Sequence, residues 1–162
     1  MSFLRMILLR ICISVSMFCY TGLALAEQSN DKRVEKIVLV CVNQCEDINL
    51  SPMRLRKLFL GIPVKVGNHY LKPLVNLSDD QLEHVFYQSI VAMSRKSYQA
   101  KNLMQKLRFA LSAPLKFDDF STLLIQLQRQ PHSISYMWLH DAEQISNVSI
   151  IKTLWQGSYA EK

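Results

Sequence analysis

The sequence carries no local signature of a catalytic or metal centre. The Gly-x-Ser-x-Gly elbow that presents a nucleophilic serine is absent. The histidines have no partner at the spacing used by zinc sites, and we interpret all four as surface or structural residues: His69, His84, His132 and His140. We therefore predict a protein that is not an enzyme, with no catalytic residue, no metal ligand and no cofactor.

Two pairs of adjacent carboxylates could be mistaken for acid–base groups. Asp79-Asp80 and Asp118-Asp119 each stand at the start of a predicted helix. Acidic side chains are favoured there because they accept hydrogen bonds from unpaired backbone N–H groups and face the positive end of the helix dipole. Capping therefore explains both pairs without any chemistry.

Strong positive charge is also missing. The chain has 19 Lys and Arg against 13 Asp and Glu, a formal net charge of +6. Arg5 and Arg10 lie in a predicted leader, and without them the balance is 17 − 13 = +4. The remaining basic residues are scattered over predicted helix surfaces and do not alternate with aromatic residues. This pattern excludes nucleic acid as a predicted partner.

Residues 1–26 have the pattern of a cleaved secretory signal peptide. Arg5 and Arg10 form a positive region, residues 11–25 are apolar or small, and an Ala-x-Ala cleavage site ends at residue 26. The alternative is an uncleaved membrane anchor, which the cleavage site disfavours. We expect a periplasmic protein of 162 − 26 = 136 residues that meets the membrane only through this segment during export.

Cysteine is scarce in the predicted mature chain. Cys12 and Cys19 leave with the leader, whereas Cys41 and Cys45 stay in an oxidising compartment. Positions four apart on a continuous strand lie about 13 Å from each other, too far for a disulfide, but a turn at residues 43–44 would bring them together. We favour a local disulfide over free thiols. A redox role is the alternative, although the C-x-x-C spacing is absent.

The segment from residue 50 to residue 86 predicts a helix, a turn, a strand and a second helix. Ser51 is a typical N-cap, and Pro52 suits the first helical position. Gly61 is typical of a helix end. The apolar face of the first helix consists of Leu55, Leu58 and Phe59.

Three further helices follow from capping residues and apolar spacing. Ser78 caps the second helix, with Gln81 as its partner in a capping box. The third helix begins at Ser94 or Ser97, and Asp118 caps the fourth. The third helix has one apolar face, which we expect to pack on the sheet: Ala100, Leu103, Leu107 and Ala110.

Strands are predicted at residues 36–42, 71–75, 133–138 and 148–154. The first is a continuous apolar run rich in β-branched residues, which is typical of a central strand covered on both faces. The order β-α-β-α-α-α-β-β indicates an α/β domain. We place this domain at residues 36–156, between a flexible arm at 27–35 and a C-terminal tail at 157–162.

Several short motifs, taken in order, carry a resemblance to a known family. They are Val42-Asn43, Leu55-Arg56-Lys57-Leu58-Phe59-Leu60-Gly61, Lys72-Pro73-Leu74-Val75 and Gln130-Pro131-His132-Ser133-Ile134-Ser135-Tyr136. In these the chain resembles the phosphate-binding proteins of phosphate transporters, which are type 2 periplasmic binding proteins, and above all their short, single-lobe exported relatives. The resemblance implies one lobe of that fold, a mixed sheet of about four strands with about four helices.

The resemblance also indicates where a ligand would bind. In the family, the loop after the second strand surrounds an oxyanion with serine, glycine and arginine, whereas residues 76–80 here read Asn-Leu-Ser-Asp-Asp. Asn76 and Ser78 are therefore the candidate ligand-binding residues. The family's phosphate loop, rich in glycine and threonine, is absent. Asp79 and Asp80 would repel an anion from the helix N-terminus that would otherwise attract it.

Three aromatic residues form a candidate interaction surface: Tyr136, Trp138 and Trp155. The first two share one face of a predicted strand, because side chains alternate along a strand. They are either part of the core or an exposed patch, since a lone lobe leaves its former partner surface uncovered.

Taken together, these features predict an exported periplasmic domain of the solute-binding type. We interpret it as a non-enzymatic binding or protein-interaction module with a protein partner in the periplasm. The alternative is a small-oxyanion, phosphate-like binding protein associated with a transporter, in which Ser78 and nearby backbone N–H groups hold a small anion.

Overall fold

The computed structural model describes residues 34–42 and 48–158 of the chain. The predicted signal peptide, most of the predicted N-terminal arm, Cys45 and residues 159–162 lie outside these ranges. Within them, no helix is long and apolar enough to cross a membrane.

The strands of the described residues form one mixed sheet and one small hairpin. They are β1 (Val34–Cys41), β2 (Lys65–Val66), β3 (His69–Tyr70), β4 (Lys72–Asn76), β5 (Leu115–Phe117), β6 (Ser133–Trp138) and β7 (Ser149–Ser158). The five-stranded sheet has the order β5-β4-β6-β1-β7, and β2 pairs with β3. Strands β5, β4 and β6 run parallel to one another, whereas β1 is antiparallel to both β6 and β7.

The helices of the same part of the chain are α1 (Pro52–Phe59), α2 (Asp80–Val85), α3 (Arg95–Phe109), α4 (Phe120–Arg129) and α5 (Leu139–Gln144). A π-helical turn, Phe86–Ile90, continues α2 directly. The mixed α/β class predicted from the sequence is therefore confirmed.

Strand β1 lies inside the sheet because its side chains are apolar on both faces. Residues 37–42 are all buried. Ile37 and Leu39 join one core with α1, α2 and the π-helical turn, while Val38 and Val40 join a second core with α4. The sheet is thus covered by helices on both sides, as the continuous apolar run predicts.

Helix α1 follows the sequence prediction closely. The side chain of Ser51 accepts a hydrogen bond from the backbone N–H of Arg54, and Pro52 is the first helical residue. Gly61 has a φ of +78°, which other residues adopt only with strain. A Cβ atom at Gly61 would lie 2.8 Å from the carbonyl oxygen of Ser112, so the glycine also allows the segment after α3 to approach α1.

The structure contains short strands beyond those predicted, and two of the predicted strands are longer than expected. Strand β5 and the β2–β3 hairpin are additional elements, each only two or three residues long per strand. Strand β1 begins at Val34, inside the predicted arm, and β7 extends to Ser158, inside the predicted tail. These extensions occur together because Val34 pairs with Ser158 in the register of the two strands.

Candidate functional site

Three helices begin at one edge of the sheet. The parallel strands β5, β4 and β6 are neighbours, and each leads within a few residues into the helix that follows it: α4, α2 and α5 respectively. We call this the carboxyl edge, the region formed by residues 76–80, 117–120 and 138–141. Open α/β sheets bind ligands at the carboxyl ends of their parallel strands, so this edge is the first place to look for a site.

Asn76, at the end of β4, is fully buried and hydrogen-bonded through both side-chain atoms. Its Nδ2 donates to the carbonyl oxygen of Tyr136 at 3.1 Å. Its Oδ1 accepts from the backbone N–H of Ser78 at 3.1 Å and from the Ser78 hydroxyl at 2.7 Å. The Tyr136 hydroxyl donates to the carbonyl oxygen of Asn76 at 2.7 Å. These bonds join the end of β4 to β6 and shape the turn into α2.

The two predicted ligand residues therefore lie side by side at the carboxyl edge, but they face differently. Asn76 is buried, whereas Ser78 is exposed with its hydroxyl directed to Asn76. To donate to a bound anion, the Ser78 hydroxyl would have to give up its bond to Asn76. A ligand-binding role for this pair stays a prediction.

The helix that follows is capped by an aspartate rather than by Ser78. The Oδ1 atom of Asp79 accepts a hydrogen bond from the backbone N–H of Leu82 at 2.7 Å. The predicted capping box of Ser78 and Gln81 is wrong by one position, because the Ser78 hydroxyl is engaged by Asn76 instead. A carboxylate thus occupies the N-terminus of α2, and Asp80 adds a second in its first turn.

Helix α4 repeats this arrangement. Asp119, not the predicted Asp118, is its N-cap, and its Oδ2 accepts from the backbone N–H and the hydroxyl of Thr122 at 2.7 and 2.6 Å. The hydrogen bonds from Thr122 lower the pKa of the Asp119 carboxyl because they stabilise its charged form. This carboxylate therefore stays charged at neutral pH.

Helix α5 contributes a further acidic group at the same edge. Burial raises the pKa of Asp141, in the first turn of α5, and the nearby charges of Asp79 and Glu35 raise it further, while His140 opposes the shift. His140 lies between the carboxylates of Asp141 and Glu35. Its Nε2 is 3.4 Å from Asp141, and its Nδ1 is 3.5 Å from Glu35.

The carboxyl edge is consequently acidic. Each of its three helices carries at least one aspartate in its N-cap or first turn: Asp79, Asp80, Asp119 and Asp141. For α2 and α4 the aspartate accepts the backbone N–H groups that an anionic ligand would otherwise use. This arrangement of aspartates disfavours the binding of an oxyanion at the carboxyl edge.

The aromatic residues of the predicted interaction surface are buried or half-buried in the structure. Tyr136 is fully buried and stacks on Phe86, with ring centroids 5.0 Å apart. Trp138 is only 8% exposed, and the half-buried Trp155 packs edge-on against it at 6.4 Å. Of the two alternatives left open by the sequence, the core interpretation is the one that the structure supports. Strand β6 is covered by helices on both faces, which explains why no patch is uncovered there.

An exposed apolar face exists instead on α3, and it is the face that we predicted to be buried. Leu103 is 58% exposed, Met104 48% and Leu107 76%. The buried side of the helix consists of Tyr98, Asn102 and Gln105. Tyr98 determines this orientation, since its ring enters the aromatic core beside Phe86 and its hydroxyl donates to the carbonyl oxygen of Phe59 at 2.7 Å.

The surface of the described residues also has a polar cleft and an apolar groove. A polar cleft of about 710 Å³ lies between α2 with its π-helical turn and the start of α3. Arg95 there forms an ion pair with Glu83 and lies over the ring of Tyr87, 5.8 Å from its centroid. A more apolar groove of about 470 Å³ is lined by the loop after α1, β4 and residues 111–115. Arg95 in the polar cleft is therefore already paired with a carboxylate of its own chain.

Histidine and cysteine chemistry is limited in the described part of the chain. No group of three or more His, Cys, Asp or Glu side chains in these ranges could hold a metal ion. His69 and His132 stack face to face, with centroids 3.9 Å apart, and so brace the β2–β3 hairpin against the turn before β6. Cys41 lies at the end of β1 with its sulfur 3.8 Å from the carbonyl oxygen of Ser149. Its predicted disulfide partner, Cys45, is outside the described residues, so that pairing stays a prediction.

Comparison with known proteins supports the fold. No protein-family model matches the sequence, and no curated protein matches it either. The structure is similar to that of an ABC-type phosphate transport receptor from Vibrio cholerae, with 8% sequence identity and a TM-score of 0.51 over 74% of this chain and 46% of that one. PstS from Borrelia burgdorferi gives 10% identity and a TM-score of 0.48 over 68% and 43%.

The chain therefore spans less than half the length of either of these proteins. At 8% identity, the likeness to the Vibrio receptor shows a shared fold and nothing about ligand or partner. The predicted α/β fold is confirmed as one that this chain shares with part of the Vibrio receptor.

Proposed function

We propose that this protein is an exported periplasmic domain that acts as a non-enzymatic binding or protein-interaction module rather than as an oxyanion receptor. The shared fold supports a solute-binding ancestry. The observation that carries the proposal is the acidic carboxyl edge, where α2 and α4 are capped by their own aspartates.

The electrostatic argument concerns what an anion would meet at that edge. A helix N-terminus attracts an anion through unpaired N–H groups and a positive dipole end. Asp79 removes the N–H of Leu82 from that role, and Asp119 removes the N–H of Thr122. An incoming oxyanion would face fixed negative charge at both starts, so binding there would be weak.

The alternative function is that of a small-oxyanion binder associated with a transporter. Two observations favour it: the exposed hydroxyl of Ser78 lies at the carboxyl edge, and a solved structure with this fold is a phosphate transport receptor. In this alternative, rotation of the Ser78 hydroxyl away from Asn76 would provide one donor, and backbone N–H groups would provide the others.

Isothermal titration with phosphate and with sulfate separates the two functions. We expect no binding in the micromolar range. Micromolar phosphate affinity that is lost in Ser78→Ala would establish the alternative. The double variant Asp79→Asn/Asp80→Asn is the matched comparison, since it removes two charges and keeps the side-chain shape. If it binds phosphate when the natural protein does not, the aspartates are the cause of the weak binding.

A partner in the periplasm can be sought with photo-crosslinkers placed on exposed helix positions. Met53 on α1 and Ile125 on α4 are exposed and lie on different helices. We expect position-dependent crosslinks to a defined protein. An absence of protein crosslinks from every helix surface, combined with tight phosphate binding, would overturn the proposed function.

A further inference from the structure

The outer side of α3 is an apolar stripe directed away from the domain. It consists of Ala100, Leu103, Met104 and Leu107, all of them exposed, and we call it the outer stripe. Their spacing of three and four residues places them along one side of the helix. That side is opposite Tyr98, Asn102 and Gln105, which are buried. The leucine and methionine side chains of α3 are therefore exposed, whereas two of its three buried side chains, Asn102 and Gln105, are polar.

Positive charge flanks the outer stripe on both sides. Helical geometry places Lys101 and Arg108, seven residues apart, along one flank and Lys106 along the other. Helix α3 contains five basic residues and no acidic residue: Arg95, Lys96, Lys101, Lys106 and Arg108. Arg95 forms an ion pair with Glu83 of α2. The positive charge beside the outer stripe therefore comes from Lys101, Lys106 and Arg108.

We propose that the outer stripe of α3 docks the domain onto an anionic phospholipid bilayer. The leucine and methionine side chains would enter the boundary between headgroups and acyl chains, while the flanking Lys and Arg side chains would reach lipid phosphates. This inference goes beyond the proposed function and does not depend on it, since it rests on the exposed side of α3 and not on the carboxyl edge.

Charge decides against a second copy of the chain as the occupant. Pairing two outer stripes would bring two sets of five basic residues together with no acidic residue of α3 to balance them.

Composition decides between lipid and a protein partner. Lysine is depleted in protein–protein interfaces, and leucine is under-represented among their hot spots, which favour Trp, Tyr and Arg. Leucine flanked by lysine is instead the composition of helices that lie on membrane surfaces.

Flotation with lipid vesicles tests the proposal on the purified protein, with its N-terminus established by mass spectrometry. The probes are vesicles of phosphatidylglycerol and phosphatidylcholine in equal parts and vesicles of phosphatidylcholine alone. We expect binding to the anionic vesicles to be roughly a hundred-fold stronger, because each of three flanking cations contributes about a five-fold gain. High salt should weaken the binding, since screening reduces the attraction.

Variants then separate the stripe from its flanks. Leu103→Ser/Leu107→Ser should weaken binding to anionic vesicles about ten-fold or more through lost apolar burial, and Lys101→Gln/Lys106→Gln/Arg108→Gln should remove the preference for anionic lipid. Matched controls are Met53→Ser and Lys57→Gln on α1, both at exposed positions, which should bind like the natural protein. Circular dichroism confirms that each variant is folded.

Three results would overturn the inference. They are equal binding to both kinds of vesicle, stripe variants that bind as well as the Met53→Ser control, and failure to float accompanied by a crosslink from position 107 to one acidic protein. The last result would assign the stripe to a protein partner. Failure here leaves the phosphate titrations unaffected, so the two proposals can fail separately.

Discussion

The carboxyl edge and the outer side of α3 use charge in opposite ways. At the carboxyl edge, acidic side chains turn toward helix N-termini and accept backbone hydrogen bonds, so a place that could bind anions is closed by the chain itself. On α3, basic residues surround apolar side chains that have no cover from the described domain. At the carboxyl edge, the chain's own aspartates accept hydrogen bonds from helix N-termini. On α3, the exposed apolar side chains are available for contact with another molecule.

The fold predicts a ligand site at the carboxyl edge, whereas the exposed apolar stripe lies on α3. Ligand sites of open α/β sheets lie at the carboxyl ends of parallel strands. In this protein a stripe of exposed apolar side chains lies on helix α3 instead. The hydrogen bonds of Asn76 and Asp79 at the carboxyl edge hold the turn into α2.

The largest expected effect separates an inward leucine from an outward one. Leu123 of α4 is fully buried, whereas Leu107 of α3 is 76% exposed. Leu123→Ala should lower the free energy of unfolding by roughly 3 to 4 kcal/mol through lost burial and a cavity. Leu107→Ala should change it by less than about 0.5 kcal/mol. Urea denaturation measures both. Similar losses would mean that the outer stripe is covered in solution.

The next effect tests whether the carboxyl edge is structural. Asn76→Ala removes three hydrogen bonds, to Tyr136 and to both donors of Ser78, and should cost roughly 2 to 3 kcal/mol of unfolding free energy. Ser78→Ala removes one of them at an exposed position and should cost less than about 1 kcal/mol. Equal stabilities in urea for the two variants would contradict a structural role for Asn76.

Alkaline pH should lower the free energy of unfolding through Tyr98, a buried residue of α3. Burial raises the pKa of Tyr98 to about 12, against an ordinary value of 10.0. Between these values the unfolded chain has lost the proton that the folded chain keeps. Stability should therefore be constant below pH 10 as far as Tyr98 is concerned, and fall above it by about 1.4 kcal/mol per pH unit.

Tyr98→Phe should reduce that alkaline slope by the same amount. It also loses the hydrogen bond to the Phe59 carbonyl, but this loss is a constant offset that is visible at neutral pH. Burial also raises the pKa of Tyr136, so the variant should keep part of the slope. Stability curves measured from pH 8 to pH 12 give both quantities, and an unchanged slope would show that Tyr98 is not held protonated.

The smallest effect concerns the end of α3. Ala110 is exposed and has a φ of 52°, a left-handed conformation in which glycine is favoured at helix ends. Ala110→Gly should raise the free energy of unfolding by about 0.5 to 1 kcal/mol. The control is Ala100→Gly in the helix interior, which should lower it by about 1 kcal/mol. Thermal unfolding distinguishes the two signs.

Much of the fold could be predicted because the sequence signals were local and strong. Ser51 and Pro52 begin α1 as expected, and β6 has the predicted bounds. The apolar run in β1 predicted a strand between two helical layers. In contrast, β5 has three residues and depends on its pairing with β4, so nothing in its own composition marks it as a strand.

The orientation of α3 could not be predicted from periodicity. Its apolar residues have regular spacing, which normally marks the buried side of a helix. Here one tyrosine outweighs them, because the aromatic core around Phe59 and Phe86 accepts its ring and a carbonyl group accepts its hydroxyl. The capping predictions at Ser78 and Asp118 are each wrong by one position, because two adjacent polar residues could serve as the N-cap and the following aspartate does so.

The strand order also determines when the domain can be completed. Strand β1 lies between β6 and β7, which are about one hundred residues further along the chain. As the chain is synthesised, its most apolar strand therefore has neither of its neighbours until residues 133–158 have been made. Contacts of such long sequence separation slow folding. The strand that is synthesised first is therefore among the last parts of the sheet to be paired on both sides.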